Sequence, residues 1–213
     1  MTAIEVKNLS VSYDGYDVLR NFSLSVGVGE AVLIRGLSGC GKSTLLHAIC
    51  GLIPDVIEAE YSGEVLIFGT LVKSLSVAER AKQLGIVFQN PETQLFCDSI
   101  EDEIAFGLEN ICIPHDEMAQ RIEQMLKLTN MENFRFASPK ALSGGQKQRV
   151  VLAAVLALDP KVLLLDEALS QLDRRGKDAL REQLRLLRNE GRTMLMVDHD
   201  DELMSIASRI VNL

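Results

Sequence analysis

The stretch "AVLIRGLSGCGKSTLLHAIC", residues 31–50, joins a short apolar run to a glycine-rich loop and then to a helical pattern. The run Ala31–Arg35 is typical of a strand that is buried on both faces. The loop Gly36–Ser43 fits the pattern G-x-x-x-x-G-K-[ST], in which glycines let backbone N–H groups turn toward phosphates. We therefore expect a nucleoside triphosphate site between a buried strand and a helix.

The residues of this loop have distinct predicted roles. Lys42 supplies a positive charge to the β- and γ-phosphates, and the Ser43 hydroxyl ligates Mg²⁺. Backbone groups of the loop surround the phosphates. The predicted nucleotide contacts are Gly36, Ser38, Gly39, Cys40, Gly41, Lys42, Ser43 and Thr44.

Length and composition indicate one globular domain. With 213 residues, 47% of them hydrophobic and 24% charged, the chain can build a sizeable core. The net charge of −8 argues against a broad nucleic-acid-binding face, which needs clustered Lys and Arg. The longest apolar run, Val150–Leu158, is about half the ~18–20 residues that cross a bilayer, and the N-terminus has no secretory pattern. Without C-x-x-C spacing, reduced cytosolic thiols are expected at Cys40, Cys50, Cys97 and Cys112.

Apolar periodicity predicts the order of the elements. Strand patterns fill residues 1–35 and recur at Leu84–Phe88, Val162–Asp166 and Thr193–Asp198. Residues 99–129 show helical periodicity instead and carry no strand signal. Strand–helix alternation elsewhere predicts a mostly parallel sheet with helices on both faces. We thus expect an α/β fold with an inserted helical lobe.

Four shorter elements complete this prediction. A strand lies near Gly63–Gly69, and Ser76 with Glu79 forms a capping box that begins a helix through Lys82. A short helix from Asp200 and a last strand at residues 209–213 end the chain.

Polar side chains follow several of the predicted strands at their carboxyl ends, where ligands bind in open α/β sheets. Asp166 is expected to hold Mg²⁺ through water, and Glu167 to accept a proton from the attacking water. The Gln89 amide can contact both the metal and that water, and His199 can donate to a γ-phosphate. The predicted catalytic set is Glu167, His199, Gln89 and Lys42, and the predicted metal ligands are Ser43, Gln89 and Asp166. Solvated or structural side chains are the alternative for each residue taken alone.

The segment "LSGGQ", Leu142–Gln146, has two interpretations. Ser143 and Gln146 form a capping box, which alone predicts a well-capped helix. The two glycines, Gly144 and Gly145, cost helix stability of roughly 1 kcal/mol each relative to alanine. They make sense if an anion approaches the helix N-terminus closely, where the dipole and free N–H groups favour it.

These motifs, in this order, resemble the nucleotide-binding domain of ABC ATPases over essentially the whole chain. Gly36–Thr44 is similar to the Walker A loop, Gln89 to the Q-loop, Leu142–Gln146 to the signature motif and Leu163–Glu167 to Walker B. Residues 170–173, "SQLD", are similar to the D-loop, and His199 to the switch histidine. The resemblance also implies that Tyr13 is the aromatic residue that stacks on adenine. Tyr16 is the less favoured alternative. It departs from the family at Ala168, where a proline is usual, and at Asp198, where a threonine is usual.

The family resemblance implies a P-loop NTPase fold of ABC type, with ATP and Mg²⁺ as ligands. Residues 1–35 are expected to form an N-terminal antiparallel β subdomain with the first core strand, 36–90 and 140–213 the core, and about 95–140 the helical subdomain. It also implies that two domains pair head to tail, so that Ser143, Gly144, Gly145, Gln146 and Asp173 contact the nucleotide of the partner. One chain then carries half of each of two sites, and the partner can be identical or related.

A finer resemblance, in "GIVFQNPETQLF" (85–96) and "EDEIAFGLEN" (101–110), is to the ATPases of energy-coupling factor and cobalt-type importers. It implies a transmembrane component that docks beside the Q-loop and a place at the cytoplasmic face of the membrane, with membrane contact only through that partner. Leu95, Phe96, Ile100 and Ile104 either line the docking groove or form the core of the helical lobe. Many members of this subgroup continue for tens of residues beyond the position of Leu213, so contacts made by such an extension are expected to differ here.

Other ABC proteins remain as alternatives. The ATPase of a conventional importer or exporter would carry the same motifs. A DNA-repair or chromosome-maintenance ATPase is disfavoured because about 50 residues, without heptads, separate Gln89 from Leu142. The solute cannot be predicted, since the motor does not contact it.

Overall fold

Two sheets organise the chain in the computed structural model, which describes residues 1–170, 172–198 and 201–213. The first sheet is antiparallel, with the order β2-β1-β4-β5. Its strands are β1 Thr2–Tyr13, β2 Tyr16–Gly27, β4 Glu60–Ile67 and β5 Thr70–Leu71. The predicted N-terminal antiparallel sheet is thereby confirmed.

The position of β4 differs from the expectation. This strand lies within 36–90, the range assigned to the core, yet it pairs with β1 in the antiparallel sheet through registers such as Val6 opposite Val65. Its exposed first half and its alternating burial toward Ile67 suit an antiparallel sheet with one solvated face. Periodicity predicted the strand but not the sheet to which it belongs.

The second sheet is the parallel core, with the order β6-β7-β8-β3-β9 and parallel pairing throughout. Its strands are β3 Ala31–Arg35, β6 Leu84–Val87, β7 Val162–Asp166, β8 Thr193–Asp198 and β9 Arg209–Asn212. The carboxyl ends of β3, β6 and β7 are followed by the Lys42 loop, Gln89 and Glu167. Parallel pairing therefore brings the chemistry-bearing segments to one edge.

Six α-helices connect these strands in the described part of the chain. They are α1 Lys42–Ile49, α2 Val77–Gln83, α3 Ile100–Asn110, α4 His115–Leu128, α5 Gly144–Ala157 and α6 Arg174–Asn189. The capping box predicted at Ser76 is present, with reciprocal bonds to Glu79. The predicted helix from Asp200 is only a 3-10 turn, Asp201–Leu203, and Phe88 lies outside β6. Helix and strand boundaries fray, which explains the last difference.

Apolar side chains cover both faces of the parallel sheet. On one face, alternate strand residues such as Val32, Ile34 and Leu164 pack in a cluster with α1 and the antiparallel sheet. On the other, residues such as Leu33 and Leu165 pack with α5 and α6. The strands are therefore buried on both sides, as their continuous apolar runs predicted.

The helical lobe of α3, α4 and the middle of α5 has its own apolar cluster. Ile100 and Ile104 are fully buried in it, so they belong to the lobe core and do not line an open groove. Of the other residues considered for docking, Leu95 is partly buried and Phe96 is exposed. Side-chain direction on α3, which sequence spacing alone does not give, decided between the two alternatives.

All four cysteines are free thiols. In residues 1–170, 172–198 and 201–213, none of the helices combines the length and the apolar character needed to cross a bilayer.

Candidate functional site

Two glycines determine the backbone conformation of the loop between β3 and α1. Gly39 and Gly41 have φ angles of 82° and 99°, which side chains other than glycine rarely adopt. A Cβ atom on Gly39 would meet nothing within 4 Å, so that position needs glycine for its backbone conformation rather than for packing. A Cβ atom on Gly41 would lie 2.9 Å from Leu19 Cδ2, because β2 packs directly on the loop. Gly39 is thus required for its backbone angle, and Gly41 both for its angle and for the close contact with β2.

Lys42 lies inside this loop with only 4% of its surface exposed. Its Nζ donates to the carbonyl oxygens of Gly36 and Leu37 at 2.9 and 3.0 Å. The ammonium group is therefore held by neutral acceptors of its own loop, and a phosphate arriving there offers a stronger, charged acceptor. Gly36 is packed tightly, since a Cβ atom there would lie 2.9 Å from the carbonyl oxygen of Leu213.

Ser43 and Asp166 meet although they are far apart in the sequence. The Ser43 hydroxyl donates to Asp166 Oδ1 at 3.0 Å, which joins the first turn of α1 to the end of β7. Burial raises the pKa of the Asp166 carboxyl, while the bond from Ser43 partly lowers it. A hydroxyl and a carboxylate oxygen at this separation are the hard ligands that Mg²⁺ prefers.

Glu167 lies next to this pair, in a turn that aims its carboxylate at the loop. Its φ of 44° is in the left-handed region, where residues other than glycine are strained and are often found at active sites. Its backbone N–H donates to the carbonyl oxygen of Val197 at 2.9 Å, which fixes the turn to β8. The carboxylate is 3.8 Å from Lys42 Nζ and accepts a hydrogen bond from Gln89 Nε2 at 2.9 Å. The structure therefore brings Lys42, Gln89 and Glu167 together as the sequence predicted.

His47, which sequence reasoning left unassigned, borders the same group. Its ring packs edge-on against Phe88 with 5.8 Å between centroids. Burial lowers the pKa of the imidazole, and the nearby Asp166 carboxylate partly opposes that effect. A half-buried histidine on α1 thus forms part of the wall behind Ser43 and Asp166.

The second predicted phosphate-facing element, the start of α5, has the expected cap. Ser143 Oγ accepts from Gln146 N at 3.3 Å, and Gln146 Oε1 accepts from Ser143 N at 2.9 Å. Ser143 and Gly144 are exposed, and Gly145 is partly exposed. A Cβ atom on Gly145 would make only ordinary contacts, 3.7 Å from Gly176 Cα and 3.8 Å from Leu172 Cδ2. Packing within the chain therefore does not require a glycine at this position.

A cleft of about 300 Å³ lies between the starts of α5 and α6. Asp173 caps α6, its Oδ1 accepting from Gly176 N at 2.7 Å. Sequence reasoning missed Arg149 and Arg175, whose basic character close to a helix start was the available signal. The lining residues are Ser143, Gly145, Gln146, Arg149, Asp173, Arg175, Gly176 and Ala179. Predicted signature and D-loop residues therefore share one positively charged cleft.

The remaining predicted residues have simpler surroundings. Tyr13 ends β1, is partly buried against the apolar cluster and pairs with the exposed Tyr16 across a tight hairpin. Ser38 is exposed, and Cys40 and Thr44 are partly exposed, in the loop and in the first turn of α1. His199 lies outside the described residues, as does position 171 of the D-loop segment.

Sequence reasoning also missed Gln148 on α5. It is 1% exposed, and its Nε2 donates to the carbonyl oxygen of Phe88 at 3.2 Å. The signal was available, because Gln148 lies three and four residues before Val151 and Leu152 and thus on their buried face.

The comparisons with known proteins agree with this geometry. The profile of the family described as "ABC transporter" matches residues 19–170. The energy-coupling factor transporter ATP-binding protein EcfA1 of Oenococcus oeni is 41% identical over 99% of this chain and 76% of its own length. Two solved structures superpose over 99% of the chain. CbiO1 of Clostridium perfringens, part of the transporter complex cbiONQ, has a TM-score of 0.86 with 31% identity over 84% of its chain. The dimeric cassette MJ0796, bound to ADP and Pi, has a TM-score of 0.84 and is 29% identical over 94% of its chain.

Several relatives are much longer than this chain. Three proteins from Methanosarcina and Saccharolobus, provisionally named ABC transporter ATP-binding proteins, are 39–42% identical to this chain. The chain spans only 33–40% of their length.

Proposed function

Since this chain belongs to the ABC transporter family and is an ABC ATPase domain, which hydrolyses ATP, we propose that it is the motor subunit of a membrane importer of the energy-coupling factor type. The fold is the α/β ABC ATPase fold, with an antiparallel sheet, a parallel core and a helical insertion. In this proposal, ATP-driven pairing of two such domains, identical or related, drives transport through a membrane partner. The similarity to EcfA1 proteins and to CbiO1 supports the subtype.

The observation that carries the proposal is the group formed by Lys42, Gln89 and Glu167 beside the Ser43–Asp166 pair. A hydrogen bond of 2.9 Å, an ion pair of 3.8 Å and a second hydrogen bond of 3.0 Å hold five residues from three separate segments at one sheet edge. A cation, a carboxylate base and metal-ligating oxygens are what hydrolysis of a triphosphate needs in one place.

Phosphoryl transfer to water is mainly a matter of positioning and electrostatic stabilisation. Lys42 and the loop N–H groups neutralise the β- and γ-phosphates, and Glu167 accepts a proton from the attacking water. Gln89 and His199 orient that water and the γ-phosphate. Mg²⁺, when bound, supplies further positive charge at the phosphates, and we assign oxygens of Ser43, Gln89 and Asp166 as its ligands. The hydrogen bond of 3.0 Å keeps Ser43 and Asp166 close enough for Ser43 to bind the ion directly and for Asp166 to hold it through water.

The cleft between α5 and α6 supports the assignment of a second half-site. Its glycine at position 145 is unexplained by packing inside the chain, and its cap leaves the helix N-terminus open to solvent. We assign Ser143, Gly144, Gly145, Gln146 and Asp173 to the nucleotide held by the partner subunit's Lys42 loop. The solved MJ0796 cassette is dimeric, and for this chain we propose the same kind of pairing.

Adenine recognition is assigned to Tyr13. The hairpin that carries it continues into Val18 and Leu19, which contact the space around Gly41. The end of the β1–β2 hairpin thus borders the phosphate loop, as an adenine platform requires. Tyr16, 78% exposed on the far side of the turn, stays the alternative.

Docking of the membrane component is assigned to the surface beside the Q-loop. Phe96 and Phe106 are 65% and 46% exposed and pack edge to face with 4.8 Å between centroids. An exposed aromatic pair is a frequent interface anchor, because large rigid rings bury much area at little entropic cost. Through this partner we place the protein at the cytoplasmic face of the membrane, without a nucleic-acid ligand.

The test of the ATPase mechanism is Glu167→Gln. The variant keeps the size of the side chain but removes the base, so turnover should fall by about a hundredfold or more while ATP-driven dimerisation survives. Phosphate release and light scattering with ATP measure the two properties. Glu117→Gln, which removes only a surface ion pair with Arg121, is the control and should hydrolyse normally. A Glu167→Gln variant with wild-type turnover would show that another group is the base.

The transporter subtype is tested by what co-purifies with the chain from detergent-solubilised membranes. A single transmembrane coupling protein, a separate solute-binding membrane protein and a second ATPase chain support the energy-coupling factor type. A conventional permease pair would contradict the subtype and leave the ATPase role intact.

A further inference from the structure

Gln148 is a buried amide on the otherwise apolar inner face of α5. Its Nε2 donates to the Phe88 carbonyl oxygen at 3.2 Å. Its Oε1 has no hydrogen-bond partner in the part of the chain that the structure describes. A half-satisfied buried amide costs free energy, so its position beside the Q-loop calls for an explanation.

The peptide groups on both sides of Phe88 are held by side-chain amides. Gln94 Oε1 accepts from Phe88 N at 2.8 Å, and Gln94 Nε2 donates to the Ile86 carbonyl oxygen at 3.0 Å. Gln148 holds the carbonyl of the same residue from α5. The next residue, Gln89, donates to Glu167 Oε2. A continuous chain of contacts therefore runs from α5 through one peptide group to Glu167.

The same helix begins at Ser143. Gln148 lies five positions after Ser143, a rise of about 7.5 Å along the helix axis. A helix of this length moves as a rigid unit, so a displacement of its capped end also moves Gln148. The neighbouring Lys147–Glu92 ion pair also links α5 to the loop, but Glu92 is mostly exposed, and such pairs contribute little.

We propose that Gln148 is a positioning residue that links the start of α5 to Gln89, and through Gln89 sets the position of Glu167. The link rests on the proposed function, in which the Ser143 end of α5 meets the partner's nucleotide. Engagement of one half-site then aligns the base of the other half-site in the same chain. Gln148 itself touches neither nucleotide nor the reacting water.

Gln183 on α6 supplies a matched control. It is 4% exposed, its Nε2 donates to the Leu128 carbonyl oxygen at 2.9 Å, and its Oε1 lacks a partner among the described residues. It therefore has the same burial and the same one-sided bonding as Gln148, but its partner ends α4, far in sequence from the Q-loop. A role limited to satisfying a buried carbonyl predicts equal effects at the two sites.

The experiment compares Gln148→Met with Gln183→Met in the full chain. Methionine keeps the length of glutamine and removes the donor. We expect Gln148→Met to lower kcat about tenfold, equivalent to about 1.4 kcal/mol of activation free energy, and to leave KM for ATP nearly unchanged. The Hill coefficient for ATP should fall toward one. Gln183→Met should lower kcat by no more than about twofold.

A double-mutant cycle with Gln89→Ala separates positioning from general disturbance. If Gln148 acts through Gln89, then Gln148→Met has no further effect once Gln89 is removed. Gln94→Met releases the Phe88 N–H and the Ile86 carbonyl oxygen, which belong to the two peptide groups before the one that Gln148 holds. It loosens the same strand end from the loop side, should show the same pattern and serves if Gln148→Met does not fold. Equal loss of kcat at Gln148 and Gln183, or an undiminished effect in the Gln89→Ala background, would overturn the inference. Wild-type turnover in Glu167→Gln would instead overturn the assignment of Glu167 as the base in the proposed function.

Discussion

Gly145→Ala separates a structural glycine from one kept for a ligand. Gly145 is the second residue of α5, and its φ is not in the left-handed region, so alanine can adopt its backbone. The new methyl group would lie 3.7 Å from Gly176 Cα and 3.8 Å from Leu172 Cδ2, both ordinary contact distances. Alanine in a helix is more favourable than glycine by about 1 kcal/mol. The melting temperature should therefore stay unchanged or rise by up to about 2–4 °C.

The same methyl group should abolish function. It would face Gly176, which lines the same cleft as Ser143 and Asp173, where we place the phosphates of the partner's nucleotide. A group in contact with phosphate cannot accept an added carbon without a shift of the order of an ångström, which costs about a hundredfold in rate. We expect ATP-driven dimerisation and phosphate release to be lost, while the monomer still binds ATP at the Lys42 loop.

Gly85→Ala is the control, because its added Cβ would lie 2.4 Å from Val155 Cγ1 and 2.8 Å from Pro160 Cγ. Overpacking of this kind costs about 1–3 kcal/mol, so this variant should melt at a lower temperature. Thermal unfolding and phosphate release are measured on both variants. A Gly145→Ala protein as unstable as Gly85→Ala would show that the glycine is structural. A stable one with wild-type turnover would refute the approach of a phosphate to α5.

Two further outcomes follow from the carboxylates. Burial raises the pKa of the Glu103 carboxyl, although backbone N–H groups of Phe96 and Cys97 donate hydrogen bonds to it. The contribution of Glu103 to the free energy of unfolding is therefore fully present below about pH 4.5 and is lost as the pH rises through the raised pKa. Urea unfolding at several pH values should show that the free energy of unfolding falls less steeply with rising pH in Glu103→Gln than in the wild type. Parallel pH dependences for the two proteins would contradict this. Asp166→Asn should raise the Mg²⁺ concentration needed for half-maximal hydrolysis by about tenfold or more, because the negative charge that holds the ion through water is lost. An unchanged Mg²⁺ midpoint would remove Asp166 from the metal site.

Local patterns predicted much of the candidate site. The Lys42 loop, the Ser143 cap and the acids after β7 each depend on residues within about one turn or one loop of one another. Their backbone geometry is set by glycine, by capping bonds and by the ends of buried strands, which are short-range effects. The same reasoning predicted the parallel sheet, because continuous apolar runs alternate with helical ones.

Contacts between residues that are distant in the sequence could not be predicted in this way. The helical spacing indicated that Gln148 is buried, but its partner could not be predicted, because Phe88 is 60 residues away and nothing in either segment marks the pairing. Ile100 and Ile104 could not be assigned to core or groove until the packing of α3 against α5 gave their direction. The strand β4 could not be assigned to its sheet, since alternation determines a face but not a neighbour.

What the amino-acid sequence determined by itself is the set of reactive groups and the local shape around each one. It specified a lysine in a glycine loop, an acid pair after a buried strand and a serine cap before two glycines. Tertiary packing alone decided that Ser43 reaches Asp166 across 123 residues and that Glu167 lies between Lys42 and Gln89. The physical reason is that a loop or a cap gains its stability from neighbouring residues. These contacts depend instead on the strand order β6-β7-β8-β3 in the parallel sheet and on the burial of both of its faces.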